Sequence, residues 1–443
     1  MAFQNITRPD RRTLSFTLSP TRVSYANTLR RAIQTEVKIL GFRADMIEDG
    51  STTDVKIIKN STPMSNEMLA DRVGLLPIYN PPTIASGWDK ESVLFKLHVK
   101  NETPEYMYVK AGDFECYEKQ ESEGDERKRI PNTKFFRPDP VTSDTCLLAV
   151  LKPYVEGQEP EEIHIEAYAS LGIGKEHTRF NPTSQCSYGY TRDTNEARIL
   201  ELWQQWLREQ KKVDPADLEK DAERKKILEN EFRSLEINRC FKVDEEGEPN
   251  SFDFTVETIG MMDTYQILLR AFSAVTALAS KYASITRGDL PESLEIRPAN
   301  VRMKAYDFLF TGEDHTLGNL LQTWLDDNKL SRGPAEGGVI FAGYNIPHPL
   351  RNEMVLRIAT EDGKEQTARQ VVAEAAKGCA DIFSQFASDF IAVTSARASE
   401  LAEPETPIVK DPPTVWEAHK EGKQVEEAKV AASKVVKSRG LKK

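Results

Sequence analysis

The side chains best able to do chemistry in this 443-residue chain are scattered rather than convergent. Its six histidines form no His-Glu-x-x-His pattern, and there is no Gly-x-Ser-x-Gly elbow, P-loop lysine or repeated Asp-x-Asp. Metal-assisted hydrolysis, acyl transfer and nucleotide cleavage each depend on one of those spacings. The stretch "LGIGKEH" at 171–177 has glycines spaced as in a phosphate cradle. It lacks the four-residue spacer and the hydroxyl after lysine, so it reads as a tight surface turn. His315 beside Glu313 and Asp314 has half the ligands of a metal site, but acids at a helix start supply caps and suit the macrodipole. "DEEGE" at 244–248 has too few ligands for a calcium loop and reads as a solvated turn. The five cysteines are widely separated, with no zinc-knuckle spacing. They read as free thiols of a reducing compartment, so no catalytic residue, metal or cofactor is expected.

Arginines carry a more specific signal. Arg30 and Arg31 follow the apolar face of a helix, and adjacent arginines leave a helix in different directions. One of them can therefore reach carboxylates on another protein, the alternative being two solvated side chains. Arg72, in the amphipathic "NEMLADRVGLLPI" at 66–78, poses the same choice.

The elements that must position these residues occur twice. Leu14, Phe16 and Leu18 alternate with polar residues as in a half-buried strand, Pro20 stops it, and Ser24 is placed to cap a helix carrying Tyr25, Leu29, Ala32 and Ile33 on one face. Tyr306, Phe308 and Phe310 repeat the strand, and Asp314 or Thr316 caps a helix with Leu317, Leu321, Trp324 and Leu325. A shift of 288 residues aligns the shared Thr-Leu and Gln-Thr but sets Leu14 and Phe16 against Arg302 and Lys304, which no buried strand face tolerates. A shift of 292 pairs Phe16 with Phe308, Ala26 with Gly318, Asn27 with Asn319 and Leu29 with Leu321, and is the register adopted. Each copy later ends in a long amphipathic helix, expected at 264–285 and 366–390.

The fold class is therefore α+β: two related units, the first at 1–50 and 250–295 and the second at 296–391. The first is interrupted at 51–249 by a β-rich insert, with a charged helical elaboration at about 192–236 and "GDERKR" at 124–129 as a charged loop. Residues 392–443 read as a proline-rich linker and a basic tail. An excess of 70 acidic over 59 basic residues gives a net charge of −11, which argues against a nucleic-acid coat and for protein partners. No apolar run follows the N-terminal arginines as a secretory signal requires, and none approaches the ~18 residues of a membrane span.

In order along the chain, "SYANTLRRAIQTEV", "MSNEMLADRVGLLPI" and "LGIGKEHTRFNP" resemble the D-type subunit of archaeal RNA polymerase and the third-largest subunit of eukaryotic polymerase II. "DHTLGNLLQTWL" with "VIFAGYNIPHPLRNEMVLRIAT" resembles the small L-type subunit, and both are similar to the N-terminal domain of bacterial alpha. The resemblance covers about 12–390. It implies two alpha-like dimerisation units in one chain, forming an intramolecular pseudo-dimer, a fusion that looks like polymerases of large nucleocytoplasmic DNA viruses.

By this resemblance the halves pair through their first and last helices, with Tyr25, Leu29 and Ile33 meeting Leu317, Leu321, Trp324, Leu325, Ile382, Phe383 and Phe386. The implied role is a non-catalytic platform for assembling the two largest subunits of a DNA-directed RNA polymerase. Arg30, Arg31 and Arg72 are the expected large-subunit contacts, and small zinc-binding polymerase subunits are further partners. The implied location is intracellular, with the transcription machinery of a viral factory, virion or host nucleus. Many relatives carry a metal-binding cysteine cluster in the insert; this sequence departs from that. An alternative reading is a DNA-binding accessory factor acting through the basic tail.

Overall fold

The computed structural model describes residues 2–45, 53–80, 87–120, 127–218, 221–286, 290–330 and 338–396. The basic tail and part of the "GDERKR" stretch lie outside the described residues.

The first third of the chain runs β1 (Phe3–Thr7), β2 (Thr13–Leu18), α1 (Val23–Thr35), β3 (Ile39–Gly41), β4 (Val55–Asn60), α2 (Asn66–Gly74), β5 (Val93–Lys100), β6 (Met107–Lys110), β7 (Glu115–Lys119), β8 (Arg127–Ile130) and β9 (Leu147–Leu151). It continues through β10 (Glu162–Tyr168), β11 (Ser170–Gly172), β12 (Thr183–Tyr190), α3 (Glu196–Trp206), α4 (Pro215–Leu218), α5 (Ala222–Ser234), β13 (Phe252–Thr258) and α6 (Thr264–Ser280). The last part is β14 (Leu294–Pro298), β15 (Ala305–Thr311), α7 (His315–Leu325), β16 (Val339–Asn345), β17 (Glu353–Thr360) and α8 (Glu365–Ala396).

Two compact units result. One comprises Met1–Val37, Thr183–Thr258 and the described residues from Asp263 onward; the other comprises Lys38–Pro182 and Ile259–Met262. The division falls at residues 37 and 183, where the sequence reading put 50 and 250. The reason is pairing: β12 lies against β13 along its length, with Tyr188 opposite Phe254, so the sheet claims it. The helical stretch α3 to α5 follows β12 into the first unit and closes its own small core around Trp206, Leu207, Leu228 and Phe232.

The first unit holds two antiparallel sheets, ordered β1-β2-β13-β12 and β14-β15-β17-β16. Counted within each sheet, the order is the same. Alternating apolar residues set the registers: Phe16 faces Phe254 across β2 and β13, and Phe308 faces Leu356 across β15 and β17. Phe16 and Phe308 correspond at the 292 shift, and Phe254 and Leu356 take the same place opposite them. The Phe16 and Phe254 rings stack with centroids 5.0 Å apart.

The second unit is a five-stranded sheet, β4-β10-β5-β7-β8, with the ribbons β6-β9 and β3-β11. Residues 127–129, expected in a charged loop, belong to strand β8, where Lys128 lies opposite Glu118 and Arg129 pairs with Glu115 at 3.4 Å. Helix α2, capped by Ser65, buries Leu69, Ala70 and Val73 among Phe42, Phe95, Phe135 and their neighbours. The first glycine of "LGIGKEH" has a packing cause: a Cβ on Gly172 would sit 2.6 Å from the Phe180 ring, and one on Gly41 of the paired strand would sit 2.7 Å from it. Arg43 closes the corner on Glu176, with Nη2 to Oε2 at 2.8 Å.

Candidate helix-pairing interface and the Arg30 face

Four helices meet in the first unit. Helix α1 packs on α6 and α7, and α8 packs on α6 and α7. The apolar stripes explain why: Tyr25, Leu29 and Ile33 on α1, and Leu317, Leu321 and Leu325 on α7, are all buried. Phe383 and Phe386 of α8 are buried too, while Ile382 and Trp324 are half-buried. Burying a side chain of this size is worth about 1.5–3 kcal/mol, so the stripes dominate the energetics. Burial drives the Tyr25 phenol and Cys379 thiol well above their ordinary range, which keeps both neutral.

Each long helix also reaches the other sheet. Phe3 of β1 meets Phe386 and Phe390 of α8, with centroids 6.1 and 5.3 Å away, and the Ala2 amide donates to Asp389 at 2.7 Å. In return, Tyr282 just past α6 meets Phe310 of β15 at 4.8 Å and donates to Glu313 at 2.9 Å. Close approach needs small residues at two points. A Cβ on Gly378 would lie 2.2 Å from the Trp324 indole nitrogen, and one on Gly318 2.4 Å from the Tyr344 ring.

Polar groups set the register between α1 and α7. Ser24 accepts from Asn319 Nδ2 at 3.1 Å and from Thr323 Oγ1 at 2.7 Å. Ser24 therefore is not the cap expected from sequence; α1 starts at Val23, with Arg22 preceding it. Asp314 is the cap of α7, accepting from the Thr316 amide at 2.7 Å. His315 contacts the Tyr344 hydroxyl at 3.2 Å. Arg22 pairs with Asp327 at 2.9 Å and with Asp244 and Glu246 at 3.1 and 3.0 Å, so "DEEGE" is an anchoring turn rather than a solvated one.

The three arginines singled out from sequence part company. Arg31 turns inward, its Nε donating to Thr316 Oγ1 at 2.8 Å and its Nη2 pairing with Asp314 at 3.2 Å. Arg72 donates to the carbonyls of Leu148 and Leu147 at 2.6 and 3.1 Å, fastening α2 to β9. Among the described residues the Arg30 guanidinium donates to neutral partners on its own helix, Asn27 at 3.3 Å and Gln34 at 3.2 Å, while its carbonyl accepts from the Cys186 thiol at 3.7 Å. No carboxylate pairs with it among the described residues. It borders a concavity of about 410 Å³ lined by Cys186, Ser187, Tyr188, Gly189 and Tyr190. Burial pushes the Cys186 thiol up to about 12, against the opposing pull of Arg30, so this wall is neutral. A guanidinium at the edge of an open, neutral hollow has the chemistry to take a carboxylate or a backbone carbonyl.

Among the described residues, no three His, Cys, Asp or Glu side chains gather as a metal cage requires, and no helix is long and apolar enough to cross a membrane. The sequence reading missed Phe3, Phe390, Arg22 and Asp327, and it put Tyr282 on the apolar face of its helix without its partners Phe310 and Glu313. Arg22 had a signal: at the 292 shift it coincides with Asp314, an opposite charge at an equivalent place.

Comparison with known proteins gives two family matches along the chain. A family model described as the RNA polymerase Rpb3/Rpb11 dimerisation domain matches residues 15–278, and a second of the same description matches 305–389. The DNA-directed RNA polymerase subunit Rpo3 of Methanobrevibacter smithii is 25% identical over 307 residues, covering 62% of this chain and 94% of its own length. Rpo3 of Thermococcus kodakarensis is 25% identical over 283 residues, covering 62% and 93%. A probable subunit RPAC2 of RNA polymerases I and III from Caenorhabditis elegans is 36% identical over 100 residues, 23% of this chain and 59% of its own length.

Proposed function

Because this chain belongs to the RNA polymerase Rpb3/Rpb11 dimerisation-domain family, we propose that it is a non-catalytic assembly subunit of a DNA-directed RNA polymerase with both partners of the family's pairing fused in one polypeptide. The observation that carries the reading is that the two family matches, 15–278 and 305–389, contribute α1 with α6 and α7 with α8 to one four-helix contact. Tyr25, Leu29, Ile33, Leu317, Leu321, Trp324, Leu325, Ile382, Phe383 and Phe386 form the pairing surface in this reading. Fusion replaces a bimolecular encounter by an intramolecular one at high effective concentration.

The paired unit then presents its outer faces to the two largest subunits, and small zinc-binding subunits join the assembly. Arg30 and its tyrosine-lined hollow form the contact to a large subunit. Arg31 and Arg72 are withdrawn from that role, since both are engaged within the chain. In the second half Gln322 and Thr323 stand at the positions that correspond to Arg30 and Arg31 at the 292 shift, so the contact is one-sided. A fused subunit of this kind fits the polymerase of a large nucleocytoplasmic DNA virus. The DNA-binding alternative rests on a tail outside the described residues.

Co-expression of the tagged chain with the two largest subunits of its own polymerase tests the reading. Recovery of both with the chain is expected, and recovery of the chain alone refutes it.

A further inference from the structure

The contacts between α1 and α7 obey a pseudo-two-fold rule. Ser24 meets Thr323 at 2.7 Å, and adding 292 to one number while subtracting it from the other gives Thr316 and Arg31, which meet at 2.8 Å. The same operation exchanges Arg22 with Asp314. Each half therefore puts the same helix face forward, and that face is capable in principle of pairing with its own kind. Among the described residues two ion pairs cross between the α1 and α7 segments and break this symmetry, Arg31 with Asp314 and Arg22 with Asp327; a third between the halves, Lys281 with Glu313 at 3.6 Å, lies outside this seam.

We propose that Arg22, Arg31, Asp314 and Asp327 are the specificity determinants that make this seam heterotypic, so that each first half accepts a second half and rejects another first half. The inference rests on the reading of the two halves as paired homologous units. If two first halves met, Arg31 of each would face Arg22 of the other, where Asp314 now stands. If two second halves met, Asp327 of each would face Asp314 of the other, where Arg22 now stands. Both homotypic seams place like charges together twice, and only the mixed seam is neutralised. Asp244 and Glu246 hold Arg22 from its own half in every arrangement and do not discriminate. The remaining polar contacts, Ser24 with Asn319 and Thr323, are neutral and orient without selecting. The apolar stripes are similar on both halves, leaving choice of partner to the charges.

The test is a charge-conserving exchange in the full chain, Arg22→Asp with Asp314→Arg. It turns the mixed seam repulsive and both homotypic seams attractive. At a few-fold per contact, the eight contacts that change sign between two single chains and a dimer shift the dimerisation constant on the order of a thousand-fold. Light scattering after size exclusion is expected to show the exchange variant self-associating at tens of micromolar.

The fourfold reversal, Arg22→Asp, Arg31→Asp, Asp314→Arg and Asp327→Arg, suffers the same loss of the α7 cap yet restores the mixed seam, and should match the wild-type oligomeric state. Arg22→Asp alone keeps the cap and serves should the exchange variant not fold; it too should self-associate above the wild type. Wild-type association of the folded variants overturns the proposal, and so does a lowered melting temperature without association, because the charges would then only stabilise. Large-subunit recovery with the unaltered chain tests the parent reading independently.

Discussion

Truncating Phe386 to alanine probes whether α8 supports the sheet at the other end of the chain. Phe386 is 7% exposed, and its ring lies 6.1 Å from Phe3 and 5.4 Å from Phe383. Phe-to-Ala changes at such sites cost about 3–5 kcal/mol. Phe390 remains 5.3 Å from Phe3 and limits the collapse, which favours the lower part of that range, about 3–4 kcal/mol. In a unit of this size that lowers the melting temperature by roughly 10 °C. Hydrogen exchange locates the damage. Amides of β1 and β2 that exchange through opening of the unit should speed up about a hundredfold, though they lie more than three hundred residues from the substitution. Acceleration confined to α8 and β17 would refute the claim that α8 holds the first sheet.

Further outcomes follow from the other contacts. Arg30→Ala gives up only neutral hydrogen bonds, so stability should stay within about 0.5 kcal/mol while recovery of the large subunits falls at least about tenfold; unchanged recovery refutes its role. Glu162 is held below its ordinary value of 4.5 by hydrogen bonds from Lys59 and then His98, at 2.6 and 2.8 Å, with burial opposing. Its contribution is therefore full above about pH 4.5 and lost as pH falls through the lower folded value. Glu162→Gln should flatten the acid side of the stability profile between pH 3 and 5, and an unchanged acid slope contradicts this. Gly172→Ala drives a methyl into the Phe180 ring, which Gly41 also crowds, and should cost the second unit about 1–3 kcal/mol in denaturant unfolding; unchanged unfolding refutes the packing account.

The repeated strand and helix were legible because their signals are local. Leu14, Phe16 and Leu18 alternate with a period of two, and Leu317, Leu321 and Leu325 recur at helical spacing, so burial follows from neighbours in sequence. Arg30 and Arg31 were not separable on that basis. What divides them is Asp314 and Thr316, 283 and 285 residues beyond Arg31, which claim one guanidinium and leave the other. Ser24 fits a capping pattern, yet its hydroxyl is worth more against Asn319 and Thr323, and the helix begins one residue earlier. The boundary near residue 183 was hidden for a related reason. β12 reads like any strand of the insert, and only its partner β13 assigns it to the first sheet.

The most direct measurement of the central claim is the subunit stoichiometry, by native mass spectrometry, of the intact polymerase purified through this chain. One copy of the chain with one copy of each of the two largest subunits, and no separate L-type partner, is the expected composition. Two copies of the chain, or an additional L-type polypeptide seated beside it, would contradict a platform that carries both halves of the pairing in a single polypeptide.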